Sequence, residues 1–259
     1  MRALFVTLLA IVSSFAARAA EPVNVAAAIS MRESLREIGK LYEQQTGQAV
    51  TFTFGASGQL MAQIRNGAPI DAFISAAAKQ IDDLDKAKLI DPATRRDVAG
   101  NELVLIVPSD DVTSPNGIRL LTSPAFKRLA IGEPKTVPAG QYAEQTIAKL
   151  GLAEKLAGRI VYGANVRQVL DYVARGEVSA GIVYRSDVVD SNRKARPVII
   201  FTENVHEPIR YPAAVIAPSK HADAARAFLD YLGSDRAIAV FTAHGFTRPP
   251  RAEPVPANK

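Results

Sequence analysis

From residue 23 onward, short apolar runs alternate with longer amphipathic segments, and this alternation restricts the fold more than any other feature. Val23–Ala28 reads as a buried strand. A helix opens at Ser30, with apolar positions Met31, Leu35, Ile38, Leu41 and Tyr42 spaced three and four apart. Gly47 stands where a glycine commonly ends a helix. Residues 49–54 alternate apolar and polar and predict a strand. The turn Gly55-Ala56-Ser57-Gly58 follows, then a helix carrying Leu60, Met61 and Ile64, which stops at Asn66-Gly67. Residues 71–75 predict a third strand and 78–88 a helix.

A second series begins near residue 100. Strands are expected over 102–107, 128–131, 159–162, 180–184, 197–201 and 213–217. Pro138-Ala139-Gly140 leads into a helix that aligns Ala143, Ile147 and Leu150. Asn165 opens another, with Val166, Val169, Leu170 and Val173, ended by Arg175-Gly176. Helices over about 222–232 and 234–243 precede a Pro-rich tail. Strands alternating with helices predict an α/β fold with largely parallel sheet.

Residues 1–19 stand apart from this pattern. Arg2 is basic, 3–15 is almost unbroken apolar sequence, and Ala17-Arg18-Ala19 fits a small-x-small cleavage site. This is the pattern of a secretory signal peptide. The apolar run is shorter than the ~20 residues a spanning helix needs, so the mature chain is expected to be exported and not membrane-spanning. Losing Arg2 and Arg18 lowers the formal charge from +5 to +3. That weak bias lacks a basic run with interleaved aromatics, which argues against nucleic acid as a partner. The densest basic stretch, Arg193-Lys194-Ala195-Arg196, reads as a solvated loop. Cysteine is absent, which removes disulfides, zinc–thiolate sites, iron–sulfur clusters and a cysteine nucleophile together.

Four times a strand ends, a small or polar residue follows, and a helix begins: at Ser30, Ser57, Ala139 and Val166. In open α/β sheets, ligands bind beyond the carboxyl ends of strands. The first turn of a helix offers N–H groups without helical partners and the positive end of the dipole. Several such ends together make an anion site. Each residue also has a plainer reading. Ser30 and Ser57 are ordinary N-cap types, Asn165 is a plausible cap, and Tyr184 at a strand end suits a half-buried core position.

Catalysis has thinner support. Gly-Ala-Ser-Gly-Gln around Ser57 misses the G-x-S-x-G elbow, because Gln59 replaces the last glycine. His206, His221 and His244 read as solvent-exposed or helix-capping residues. Asp82, Asp83 and Asp85 read as a solvated helix face.

Three stretches stand out in the first part of the chain: Val25-Ala26-Ala27-Ala28-Ile29-Ser30, Phe54-Gly55-Ala56-Ser57-Gly58-Gln59-Leu60 and 67–76. Further on come Val137-Pro138-Ala139-Gly140-Gln141-Tyr142-Ala143, Asn165-Val166-Arg167-Gln168-Val169-Leu170 and Gly181-Ile182-Val183-Tyr184-Arg185-Ser186-Asp187. With Gly132-Glu133-Pro134, Tyr211-Pro212-Ala213 and Gly245-Phe246, these stretches are similar to periplasmic molybdate-binding proteins, the substrate-binding subunits of molybdate ABC importers. The resemblance runs in order over essentially the whole mature chain. It departs at Asn165, where the family more often has an acidic residue, and at Ser57, where some members carry a run of serines.

The resemblance implies a type II periplasmic binding protein fold, two α/β lobes with a ligand cleft between them. It implies lobe one over 20–100 plus 211–259, lobe two over 101–210, and a monomer. Ser30, Ser57, Ala139, Val166 and Tyr184 would hold molybdate or tungstate, touching the metal only through the oxyanion's oxygens. No catalysis and no cofactor are implied, and the partner would be an ABC transporter permease. Two readings stand beside this one: the same fold binding sulfate or another oxyanion, and a secreted serine hydrolase using Ser57. A regulator's sensor domain would need a DNA-binding segment, which the sequence does not offer.

Overall fold

The computed structural model describes residues 21–111, 117–191 and 194–249. The expected signal peptide, the Pro-rich tail from 250 and Arg193 lie outside the described residues.

The chain opens with β1 (Val23–Ala28), a 3₁₀ turn (Ile29–Met31), α1 (Arg32–Thr46), β2 (Val50–Gly55) and α2 (Ser57–Arg65). Then come β3 (Ala72–Ile74), α3 (Ala78–Lys86) and β4 (Ile90–Gly100). The middle of the chain holds β5 (Leu103–Pro108), a 3₁₀ turn (Ile118–Thr122), β6 (Leu129–Gly132), α4 (Pro138–Lys149) and α5 (Ala153–Leu156). It continues with β7 (Ile160–Gly163), α6 (Val166–Ala174), β8 (Ala180–Tyr184), α7 (Arg185–Val189) and β9 (Ala195–Phe201). The chain closes with β10 (Arg210–Ile216), α8 (Ala222–Tyr231) and α9 (Asp235–Ala243).

The strands form two five-stranded sheets, β2-β1-β3-β10-β4 and β7-β6-β8-β5-β9. Each sheet with its helices is one lobe of a two-lobe α/β fold of the type II periplasmic binding protein kind. The chain passes between the sheets twice, through Asn101-Glu102 and through 202–209. Beside the first passage, Gly100 exchanges two backbone hydrogen bonds with Thr247, at 2.9 and 3.0 Å.

The sheets are mixed, which corrects the expectation of largely parallel sheet. β1 runs parallel to β2 and β3, and β6 parallel to β7 and β8. β10 is antiparallel to β3 and β4, and β5 antiparallel to β8 and β9. Parallel pairs need a crossover element, as each strand–helix–strand unit supplies. β5 and β10 instead enter straight from the other sheet, so nothing forces them to run parallel.

Packing follows the sequence periodicity. α1 buries Leu35, Ile38 and Tyr42, and Gly47 ends it at φ +74°. Tyr42 meets the ring of Phe228 on α8 edge-on, with centroids 5.2 Å apart. β4 was not foreseen because its sequence, Ile-Asp-Pro-Ala-Thr-Arg-Arg-Asp-Val-Ala-Gly, lacks an apolar stripe. It is an edge strand with irregular register against β10, where Pro92 and charged residues are tolerated.

Candidate functional site

The four strand-to-helix junctions converge from both lobes. Ser30 lies in the 3₁₀ turn after β1, Ser57 begins α2, Ala139 is in the first turn of α4, and Val166 begins α6. Tyr184 ends β8 and precedes α7. All five line one cavity of about 10 Å³, together with backbone-bearing neighbours such as Ala28, Gly55, Ala76 and Pro138. No charged side chain lines it among the described residues.

Helix geometry supplies part of its polarity. The N–H groups of Ser57, Ala139 and Val166 fall in first turns, where the helix itself offers no acceptor. Asn165 caps α6 through its side chain, accepting from the Gln168 N–H at 3.1 Å, so the plain reading of Asn165 holds. Pro138 sits in the first turn of α4 at no cost, because an N–H there has no helical partner.

The three hydroxyls are buried: Ser30, Ser57 and Tyr184 are each about 1% exposed. Ser57 Oγ accepts from the Ala76 N–H at 3.1 Å, which leaves its own proton for another partner. Ser30 Oγ lies 3.0 Å from Tyr211 Oη, whose oxygen also accepts from Asn101 Nδ2 at 3.1 Å. Tyr184 Oη stands 3.5 Å from the Ala76 carbonyl, a long contact that joins lobe two to lobe one. Burial pushes the phenols of Tyr184 and Tyr211 well above the usual tyrosine range, so both keep their protons. Tyr184 is therefore fully buried and faces the cavity, which departs from the half-buried core position suggested by its place at a strand end.

The lobes also touch beside the cavity. The Gly58 N–H, in the first turn of α2, donates to the Thr136 carbonyl at 2.9 Å. A Cβ on Gly58 would come within 2.8 Å of Thr136 Cα and O, so only glycine permits this approach. A buried carboxylate stands behind Tyr184. Asp187 accepts from the Tyr184 N–H at 3.2 Å and lies 3.4 Å from Arg167 Nε. Burial raises its pKa to about 6, against the opposing pull of Arg167. Arg167 is also 3.4 Å from Asp190, so its charge is shared between two acids next to Val166.

His221 and His244 stand at the caps of α8 and α9, as expected, whereas His206 departs from the expectation of a solvent-exposed or capping residue. His206 is buried with its ring 5.9 Å from that of Tyr142. His244 bridges Asp190 at 2.7 Å and Glu37 at 3.1 Å, and His221 faces Asp71 and Glu21. Among the described residues none of them hydrogen-bonds to Ser57, whose Oγ accepts from the Ala76 N–H. Arg196 is not in a loop but in β9, donating to the Asp111 carbonyl at 3.1 Å. Asp82 and Asp83 pair with Arg95 and Lys79 on the surface of α3.

Ala76, Asn101 and Tyr211 were not singled out as site residues from the sequence. Ala76 acts through its peptide group, and Asn101 and Tyr211 reach the site through contacts far apart in the chain. The sequence signals for them are the Tyr211-Pro212-Ala213 match and, for Ala76, the end of the 67–76 stretch.

The family model described as bacterial extracellular solute-binding protein matches residues 23–247. A molybdate-binding protein of Haemophilus influenzae is 38% identical over 241 residues, covering 90% of this chain and 92% of that one. Its Escherichia coli counterpart is 37% identical over 232 residues, covering 87% and 88%. The solved periplasmic molybdate-binding protein of Azotobacter vinelandii superposes with a TM-score of 0.80 at 28% identity, over 88% of this chain and 100% of that one. These relatives are substrate-binding proteins, and no helix among the described residues is long and apolar enough to cross a membrane. With the family matched across nearly every described residue, the chain belongs to the bacterial extracellular solute-binding proteins, on the branch that carries the molybdate-binding proteins of ABC transporters.

Proposed function

We propose that this chain captures molybdate, and tungstate equally well, in the cleft between its lobes and hands the anion to an ABC transporter permease. The observation that carries the reading is the meeting of Ser30, Ser57, Ala139, Val166 and Tyr184 around one small cavity free of charged side chains. Molybdate is a tetrahedral dianion that only accepts hydrogen bonds, and hydroxyl and N–H groups all donate. Bonds to a charged acceptor are roughly twice as strong as neutral ones, so preorganised donors substitute for a buried cation. The five residues touch the metal only through its oxygens, and no cofactor is involved.

Lobe one takes residues 20–100 plus 211–259 and lobe two 101–210, with the mature protein a periplasmic monomer released by cleavage after residue 19. Donors on both lobes make the closed form the tighter binder, so the ligand shifts the population toward closure. The permease then reads the closed form. Sulfate, with shorter bonds, leaves its oxygens short of the donors. Hydrogen phosphate brings a proton that these donors cannot accept.

A parallel thermal melt with molybdate, tungstate, sulfate and phosphate tests the reading. Ligand at about 100 times Kd adds about 2.7 kcal/mol, and each kcal/mol shifts a chain of this size by about 2–4 °C. Shifts with molybdate and tungstate alone support the proposal. A shift with sulfate alone moves the assignment to that oxyanion, and no shift with any of the four refutes the site.

A further inference from the structure

Ser30 is the one site hydroxyl whose proton direction is set by side chains from elsewhere in the fold, and the chain of bonds behind it has a fixed polarity. It begins at Asn101, in the first passage between the lobes. Asn101 Oδ1 accepts from the Glu102 N–H at 2.9 Å. A backbone N–H only donates, so this bond fixes which end of the amide is oxygen. Asn101 Nδ2 therefore faces the other way, with its two protons on Ser186 Oγ at 2.9 Å and Tyr211 Oη at 3.1 Å.

Tyr211 sits at the start of β10, just after the second passage, and is fully buried. Its oxygen accepts from Asn101, so its own proton turns to its other partner, Ser30 Oγ at 3.0 Å. Ser30 has no further hydrogen-bond partner among the described residues. Its oxygen receives a proton from behind, and its own O–H has only the cavity to point into.

We infer that Asn101 and Tyr211 are positioning residues that lock Ser30 as a hydrogen-bond donor toward the bound anion, and so help exclude oxyanions that carry a proton. The inference rests on the oxyanion-binding reading above. A serine hydroxyl is otherwise free to donate or accept by rotation. With Tyr211 donating into it, the oxygen is already engaged and an incoming O–H finds no acceptor. Asn101 lies in the first passage between the lobes and Tyr211 near the start of β10, just after the second, so the donor is aligned from beside both passages.

The test is a cycle of molybdate titrations by calorimetry on wild type, Tyr211→Phe, Ser30→Ala and the double variant, with hydrogen phosphate as competitor at mildly alkaline pH. Tyr211→Phe keeps the ring and removes the relay. It is expected to weaken molybdate about fivefold to tenfold and to narrow the preference over hydrogen phosphate. In the Ser30→Ala background the same substitution is expected to cost nothing further, because no hydroxyl remains to be oriented.

Asn101→Asp is the second arm. It keeps the Glu102 contact but turns the donor into an acceptor, so Tyr211 donates to it, Ser30 donates to Tyr211, and lone pairs face the anion. A loss larger than that of Tyr211→Phe is expected. An equal cost of Tyr211→Phe with and without the Ser30 hydroxyl would mean general packing and overturns the inference. So does wild-type affinity in Asn101→Asp. A wild-type protein that binds no molybdate overturns the functional reading itself, an outcome distinct from variants that bind like wild type.

Discussion

Gly58→Ala separates closure of the lobes from stability of the fold. Gly58 lies in the first turn of α2 on lobe one, and its N–H donates to the Thr136 carbonyl of lobe two at 2.9 Å. An alanine Cβ would stand 2.8 Å from both Thr136 Cα and Thr136 O. Carbon atoms pack best at about 3.5–4.0 Å, so the lobes must draw back by roughly 1 Å. Overpacking of this kind costs about 1–3 kcal/mol, and 1.4 kcal/mol is tenfold in affinity, so molybdate should bind about 5- to 150-fold more weakly. The penalty falls only on the closed form. Gly58 does not have positive φ, and alanine favours a helix over glycine by up to ~1 kcal/mol, so lobe one itself is not strained. Calorimetric titration should show the loss, while melting without ligand stays at or above the wild-type temperature. Gly140→Ala is the contrast, since its Cβ would meet Gly132 O at 2.0 Å inside lobe two and should lower the melting temperature directly. Wild-type affinity in Gly58→Ala, or an affinity loss matched by an equal loss of ligand-free stability, would refute the reasoning.

Three further outcomes are expected. Tyr184→Phe removes one donor to a charged ligand, worth about 1.5–3 kcal/mol, so molybdate titrations should show a loss of more than tenfold with the far-UV spectrum unchanged; equal affinity would remove Tyr184 from the site. His244 is held between Asp190 and Glu37, and although partial burial opposes charging, these bonds raise its pKa. Its stabilisation is present below the ordinary histidine value of about 6.5 and is lost as pH rises through the raised value. His244→Gln should therefore flatten the fall in urea midpoint from about pH 6 to pH 8, and an unchanged slope would contradict this. Asp187 has a pKa raised to about 6 by burial, so the native state binds the extra proton and stability falls as pH rises from about 4 to 6. Asp187→Asn should remove that slope in denaturation curves taken across the window; a slope that persists would place it elsewhere.

The sequence was most informative where burial is uniform. Val23–Ala28 and Ala180–Tyr184 are strands with the expected bounds, because short, largely apolar runs are buried as central strands in a two-lobe α/β fold. Gly47 and Gly176 end helices at positive φ, where other residues would be strained. β4 stayed hidden because an edge strand exposes polar side chains and leaves no period to read. α7 stayed hidden because Arg185–Val189 is too short for a helical pattern, and its key residue, Asp187, is buried by tertiary contacts. The four strand–helix junctions could be read singly, but each had a plain capping explanation. Their meeting in one cavity depends on how two sheets are joined, which the two passages decide. Asn101 and Tyr211 lie 110 residues apart in the chain, so no local pattern announces their bond.

The account's central claim is that one oxyanion sits among Ser30, Ser57, Ala139, Val166 and Tyr184. Crystals of the protein grown with molybdate, with anomalous diffraction recorded at the molybdenum edge, test it most directly. The account predicts a single strong peak in that cavity, with oxygens about 2.8 Å from the three hydroxyls and from first-turn N–H groups. A peak elsewhere on the molecule, or none in crystals grown with the anion in excess, would contradict it.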